Sequence, residues 1–81
     1  MRVRVRLFGS LREALAQSLL DLDLPAGATP EAAWAHLVAR DAGLAERRAS
    51  LTAAVNRRYA SFDSPLAEGD ELVFVPPVSG G

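Results

Sequence analysis

The chain has 81 residues, a formal net charge of −1, no cysteine and one histidine. Such a chain is one domain at most; disulfides, thiolate metal sites and multi-histidine metal sites are excluded, and the charge argues against a general binder of nucleic acid or anionic membranes. Its 49% hydrophobic and 23% charged residues are ordinary for a globular protein, no apolar run approaches the ~20 residues of a membrane span, and the opening alternation of Arg with apolar residues is no signal peptide, so a cytoplasmic, metal-free protein is expected.

The opening stretch RVRVRLF alternates cleanly, with Val3, Val5 and Leu7 on one side and Arg2, Arg4, Arg6 and Phe8 on the other. That period of two predicts a half-buried strand. LDLDL repeats the device: Leu20, Leu22 and Leu24 turn inward, Asp21 and Asp23 outward. If the two strands pair, arginine meets aspartate across them, an interaction of a few tenths to ~1 kcal/mol per pair. Between them, Ser10 to Gln17 reads as a short helix with Ser10 as N-cap and Leu11 and Leu15 on one face.

The main helix begins after Pro25 and Gly27, which close the second strand. Thr29 suits the N-cap, Pro30 the first helical position, and Glu31 the positive end of the helix dipole. Trp34, Leu37 and Val38 form the apolar stripe that must pack on a sheet. His36 falls off that stripe and reads as a solvated residue. Gly43 is the expected stop.

Three strands follow. LTAAVN (Leu51 to Asn56) is one, Arg57 and Arg58 supply a turn, and YASF begins the return. DSPLAEGDE is a loop, with turn signals at Asp63, Pro65 and Gly69. In ELVFVP, Leu72 and Phe74 face one way and Val73 and Val75 the other. A strand apolar on both faces belongs in the middle of a sheet, covered on both sides. Placing it beside the first strand gives an α+β domain of β-grasp (ubiquitin-like) type: a mixed sheet of about five strands with one main helix packed across it. The expected division is a β-grasp domain over 1–75 and a flexible reactive tail over 76–81.

The tail is PPVSGG. Pro76 and Pro77 fix φ and have no N–H to give a ladder, so they end the strand and stiffen its exit. Five residue steps from Pro76 to Gly81 reach at most ~17 Å, enough to enter another protein's active site while the domain stays outside. Gly80 and Gly81 have no Cβ and can thread a narrow channel. A terminal carboxylate is ionised at neutral pH and is a poor electrophile, so it must first be activated, most simply as an acyl-adenylate. A frayed end is the plain alternative. All nine basic residues are arginine. Compositional bias toward alanine and leucine accounts for this, and so does the advantage, to a chain with an activated terminus, of having no lysine or thiol to be acylated.

AAVN followed by SFDSPLAEGDELVFVPPVSGG resembles the small, sulfur-carrier subunits of molybdopterin synthase, and LFGSLRE near the start is similar to the same family. The resemblance implies a cycle. A ubiquitin-activating-like adenylyltransferase spends ATP to adenylate Gly81, and a sulfur-donor enzyme converts the adenylate to a thiocarboxylate. The loaded carrier docks on the large synthase subunit, in an expected heterotetramer, and inserts Pro76, Pro77, Val78, Ser79, Gly80 and Gly81 into its pocket. There the terminal sulfur attacks cyclic pyranopterin monophosphate, and two rounds build the dithiolene. The carrier is then a non-catalytic subunit with no permanently bound cofactor; the acid–base groups belong to the large subunit.

Strand parity gives the expected docking surface. Phe8 on the Arg face of the first strand, and Val73 and Val75 on the face of the last strand away from Leu72 and Phe74, form one patch opposite the main helix, joined by Tyr59. An apolar patch on an open sheet face marks a partner site, and aromatic residues make good anchors; cover by the chain's own loops is the alternative. Arg2, Arg4 and Arg6 border the patch and either steer acidic partners or pair with the aspartates, and Arg12, Arg57 and Arg58 are weaker candidates for steering. Other functions that use a Gly-Gly end are sulfur transfer to thiamine thiazole or tRNA, and conjugation to lysines as a ubiquitin-like modifier.

Overall fold

Alternation along the first strand decides the two faces of the sheet. In a computed structural model that describes residues 1–77, β1 (Arg2–Arg6) buries Val3 and Val5 completely and exposes its three arginines. β2 (Leu19–Asp23) buries Leu20 and Leu22 and exposes Asp21 and Asp23. The two pair antiparallel, with Arg2 opposite Asp23 and Arg4 opposite Asp21. The order in the sheet is β2-β1-β5-β3-β4, where β3 is Thr52–Val55, β4 Arg58–Ala60 and β5 Glu71–Val75. β5 runs parallel to β1 and antiparallel to β3 at the centre, the position its sequence demands. With α2 (Pro30–Arg40) packed on the buried face, this is the β-grasp fold.

α2 starts as its sequence dictates. The Thr29 hydroxyl accepts from the Ala32 N–H at 3.3 Å, and Pro30 opens the helix. Trp34 and Leu37 are buried and Val38 packs at the margin of the core, while His36 is exposed. Full burial of such side chains stabilises by ~1.5–3 kcal/mol each. Trp34 meets Phe74 of β5 edge-on, Phe62 stacks on Phe74 with centroids 5.9 Å apart, and the Arg48 guanidinium lies 3.4 Å from the Phe62 ring centroid. Arg48 Nε also donates to both carboxylate oxygens of Glu31 at 3.0 Å, and its Nη2 donates to Oε1 at 2.8 Å. This clasp ties the start of α2 to the segments on either side of the β3–β4 hairpin.

Several boundaries differ from expectation. α1 (Gly9–Leu15) has Phe8, not Ser10, at its N-cap, and no side chain caps it; the Phe8 carbonyl accepts from the Leu11 and Arg12 N–H groups instead. Ser10 is drawn into the first turn, where its hydroxyl accepts from Arg47 Nη1 at 2.7 Å. α2 ends at Arg40, before Gly43, because the Asp41 carboxylate turns back to accept from the Gly43 N–H at 3.0 Å and starts 3₁₀ turns over Ala42–Ser50. The hairpin turns on Asn56 and Arg57, one residue earlier than the two arginines suggested, with φ of 51° and 70°. Among the described residues, no helix is long and apolar enough to cross a membrane.

Candidate functional site

The chain leaves the sheet from the top of its central strand. Val75 is opposite Thr52 in the last pair of the β3–β5 ladder. Pro76 and Pro77 follow, both exposed, and neither can extend the ladder because proline has no N–H. The two prolines form one wall of a groove of about 560 Å³ whose other walls include Ser10, Leu11, Arg47 and Leu51. The Arg47–Ser10 hydrogen bond joins the start of α1 to the 3₁₀ turns here. Val78, Ser79, Gly80 and Gly81, assigned to the tail by sequence, lie outside the described residues.

The sheet face away from the core is graded along β5. Register partners share a face, so the ladders define one row across all five strands: Leu19, Arg6, Val73, Ala54 and Tyr59. Tyr59 at one edge is 77% exposed and Leu19 at the other 41%; Val73 and Ala54 are half-buried. Val75 continues this face toward the tail, half-buried and paired with Thr52. Val73 and Val75 are thus not covered as a doubly packed strand would be; one face of β5 meets the core and the other stays partly open.

Toward the other end of β5 the face becomes ionic. Arg4 Nε donates to Asp21 at 3.1 Å, Arg2 Nε to Asp23 at 3.4 Å and Arg6 Nε to Glu71 at 2.7 Å. The hydrogen bond from Arg4 holds the Asp21 carboxyl below its ordinary range, and that from Arg6 does the same for Glu71. These groups are solvated, so each pair contributes little on its own. The three arginines of β1 are therefore neutralised within the chain, and the pairing explains them without a partner.

Of the residues singled out by sequence, Val73 and Tyr59 share one row through Ala54, and Val75 lies on the same face two residues on. Phe8 is two residues beyond Arg6, the last β1 residue in register with β5, and is 59% exposed. It caps α1 rather than continuing the strand, so its exposure comes from the turn into the helix and not from strand parity. Leu19 was not singled out. Its signal lay in the charges: with Arg2 opposite Asp23 and Arg4 opposite Asp21, the antiparallel register sets Arg6 opposite Leu19, on the exposed face.

The model of the ThiS family matches residues 5–81. The molybdopterin synthase sulfur carrier subunit of Escherichia coli (strain K12) is 39% identical, covering 98% of this chain and 99% of that one. SAMP1, small archaeal modifier protein 1, from Haloferax volcanii has a solved structure that superposes with a TM-score of 0.83 at 29% identity, covering 100% of both chains. A putative molybdopterin converting factor subunit 1 from Pyrococcus furiosus superposes with a TM-score of 0.83 at 28% identity, covering 95% of this chain and 98% of that one.

Proposed function

Because the chain belongs to the ThiS family, we propose that it is the sulfur carrier of a molybdopterin synthase. The observation that carries this reading is where the tail begins. Pro76 and Pro77 stand exposed at the end of the central strand β5, so the rigid sheet would serve as the handle for the short glycine-ended segment that follows them. The curated relative from Escherichia coli, matched along nearly its whole length, is named for that role.

In the proposed cycle the Gly81 carboxylate attacks the α-phosphate of ATP on an adenylyltransferase, and pyrophosphate leaves. Sulfur at the sulfide level, delivered by a sulfur-donor enzyme, then attacks the acyl carbon, AMP leaves with the electron pair of its C–O bond, and the terminus becomes a thiocarboxylate. The carrier docks on the large synthase subunit, its tail enters that subunit's pocket, and the terminal sulfur displaces an oxygen substituent from a carbon of cyclic pyranopterin monophosphate; water then cleaves the acyl–sulfur bond, leaving the sulfur on the pterin and freeing the Gly81 carboxylate. Tethering raises the effective concentration of the nucleophile, a rate advantage that well-oriented intramolecular reactions carry to ~10⁵ M and beyond. ATP is consumed by the activating partner and no cofactor stays on the carrier. The half-buried Val73 and Val75, with Phe8 and Tyr59, are the proposed contacts of the domain itself.

The test is a pair of variants, one lacking Gly81 and one with a single residue added after it. Both should keep the parent's melting temperature and lose molybdopterin formation in a reconstituted synthase. Full activity in either would refute the tail mechanism. A second reading, conjugation to lysines, is favoured by the likeness to SAMP1; lysine-linked adducts of Gly81 in the same incubations would support it.

A further inference from the structure

Asn56 and Arg57 form the two-residue turn of the β3–β4 hairpin, both with positive φ. A tight hairpin of this kind needs the left-handed conformation at both central positions, and the second ordinarily goes to glycine. Asn56 is accounted for by its own bonds: its amide donates to Asp70 at 2.9 Å, its side-chain oxygen accepts from the Glu71 N–H at 3.0 Å, and its backbone N–H reaches the Glu71 carbonyl at 2.8 Å. Arg57 has no such account. Its φ of 70° is strained for a residue with a Cβ.

The charge of Arg57 is only partly engaged within the fold: it helps hold the Glu71 carboxyl below its ordinary range, behind the hydrogen bond and charge of Arg6. Arg2, Arg4, Arg6 and Arg48 each reach a carboxylate. Among the described residues Arg57 makes no ion pair and no side-chain hydrogen bond. The carboxylate of Glu71, at the base of the turn, is already bonded by Arg6 at 2.7 Å. Beside Arg57 on the same hairpin stands Tyr59, the most exposed large hydrophobic residue on the described surface.

We propose that Arg57 is an anchor for an acidic surface on the protein that receives the tail, and that it sets the carrier's orientation. The proposal rests on the carrier reading and deepens it by naming how the domain is held. The turn is bonded to Glu71, the first residue of β5, whereas the tail leaves from the last. At ~3.3 Å per residue the two ends of β5 are on the order of 15 Å apart, with the row from Leu19 to Tyr59 between them. A carrier held by its tail alone can swivel about it. A second attachment at the far end of the same strand, on the same face, removes that freedom. A guanidinium suits the task, since it stays ionised and grips a carboxylate with two parallel N–H groups.

The experiment uses the full chain, the large synthase subunit of the same organism, and Arg57→Gly and Arg57→Lys variants. Calorimetric titration at two salt concentrations gives the affinity, and thermal melts report the fold. Arg57→Gly relieves the strain and should raise Tm by about 4 °C, while weakening binding about tenfold and flattening its salt dependence. Arg57→Lys keeps the charge and the strain but loses the two-pronged grip; it should melt with the parent and bind more weakly than the parent yet more tightly than Arg57→Gly. Unchanged affinity in Arg57→Gly overturns the anchor and leaves the carrier reading standing. A lowered Tm in Arg57→Gly also overturns it, because the guanidinium would then serve the fold. If the parent chain does not bind the large subunit at all, the carrier reading fails and the anchor falls with it.

Discussion

Trp34 of α2 meets Phe74 of β5 edge to face, with ring centroids 5.0 Å apart and planes inclined at 68°. The contact fastens the one long helix to the strand that leads into the tail. Phe74 is buried on that side, while its neighbours Val73 and Val75 look out on the other. One strand therefore has three tasks: a core face, an open face and an exit.

Phe74→Ala empties the centre of that contact and should cost about 3–5 kcal/mol. Urea melts should show a lower midpoint with an unchanged slope, since the surface exposed on unfolding is nearly the same. A loss under about 1 kcal/mol would mean that the Trp34–Phe74–Phe62 stack is not the centre of the core.

Phe8→Asp separates docking from folding. Phe8 is an exposed N-cap whose side chain makes no capping bond, and Asp is among the best residues at that place. The variant should melt at or slightly above the parent temperature and bind the large subunit at least about tenfold more weakly, a loss of ~1.4 kcal/mol. A fall in Tm together with unchanged binding would place Phe8 in the fold and not at the interface.

Acid should destabilise the chain in a narrow window. Arg4, Arg48 and Arg6 hold Asp21, Glu31 and Glu71 below the ordinary carboxylate range by hydrogen bonding. Each therefore takes up its proton less readily folded than unfolded. The stability they contribute is present above the unfolded values, at about pH 4, and is lost as pH falls through the folded ones. Urea melts should be level from pH 7 to about pH 5 and weaken below about pH 4, with a shallower decline in Glu71→Gln. Rising stability on acidification would contradict the assignment. The pairs are solvated and the effect is correspondingly modest.

Much of the fold was legible because burial imposes a period. RVRVRL and LDLDL assign their faces residue by residue, and the same charges that mark the outer face set the register between β1 and β2. The two-sided ELVFV stretch points to a central strand, and β5 is central, although its outer face is half-buried and not covered as the pattern implied. What was not legible lacked a period or depended on a competitor. Ser10 has the chemistry of an N-cap, but the Phe8 carbonyl takes the first-turn N–H groups and Arg47 takes the serine hydroxyl. The 3₁₀ turns over Ala42–Ser50 follow no helical stripe, burying Leu44 alone. Nothing in the sequence marks Arg57 for positive φ, because arginine there is disfavoured locally. Leu19 sits beside Leu20 in SLLDLD, and only the cross-strand register separates the buried leucine from the exposed one.

The claim on which the rest depends is that the carboxylate of Gly81 is the group that gets activated and loaded with sulfur. Intact-mass and fragment analysis after incubation with ATP, the adenylyltransferase and a sulfur source tests it. The account predicts a gain of about 16 mass units confined to the C-terminal fragment, sulfur in place of oxygen; oxidation of Met1 adds nearly the same mass and must be set apart by its position. An unchanged mass, or an increment that never maps to Gly81, would contradict it.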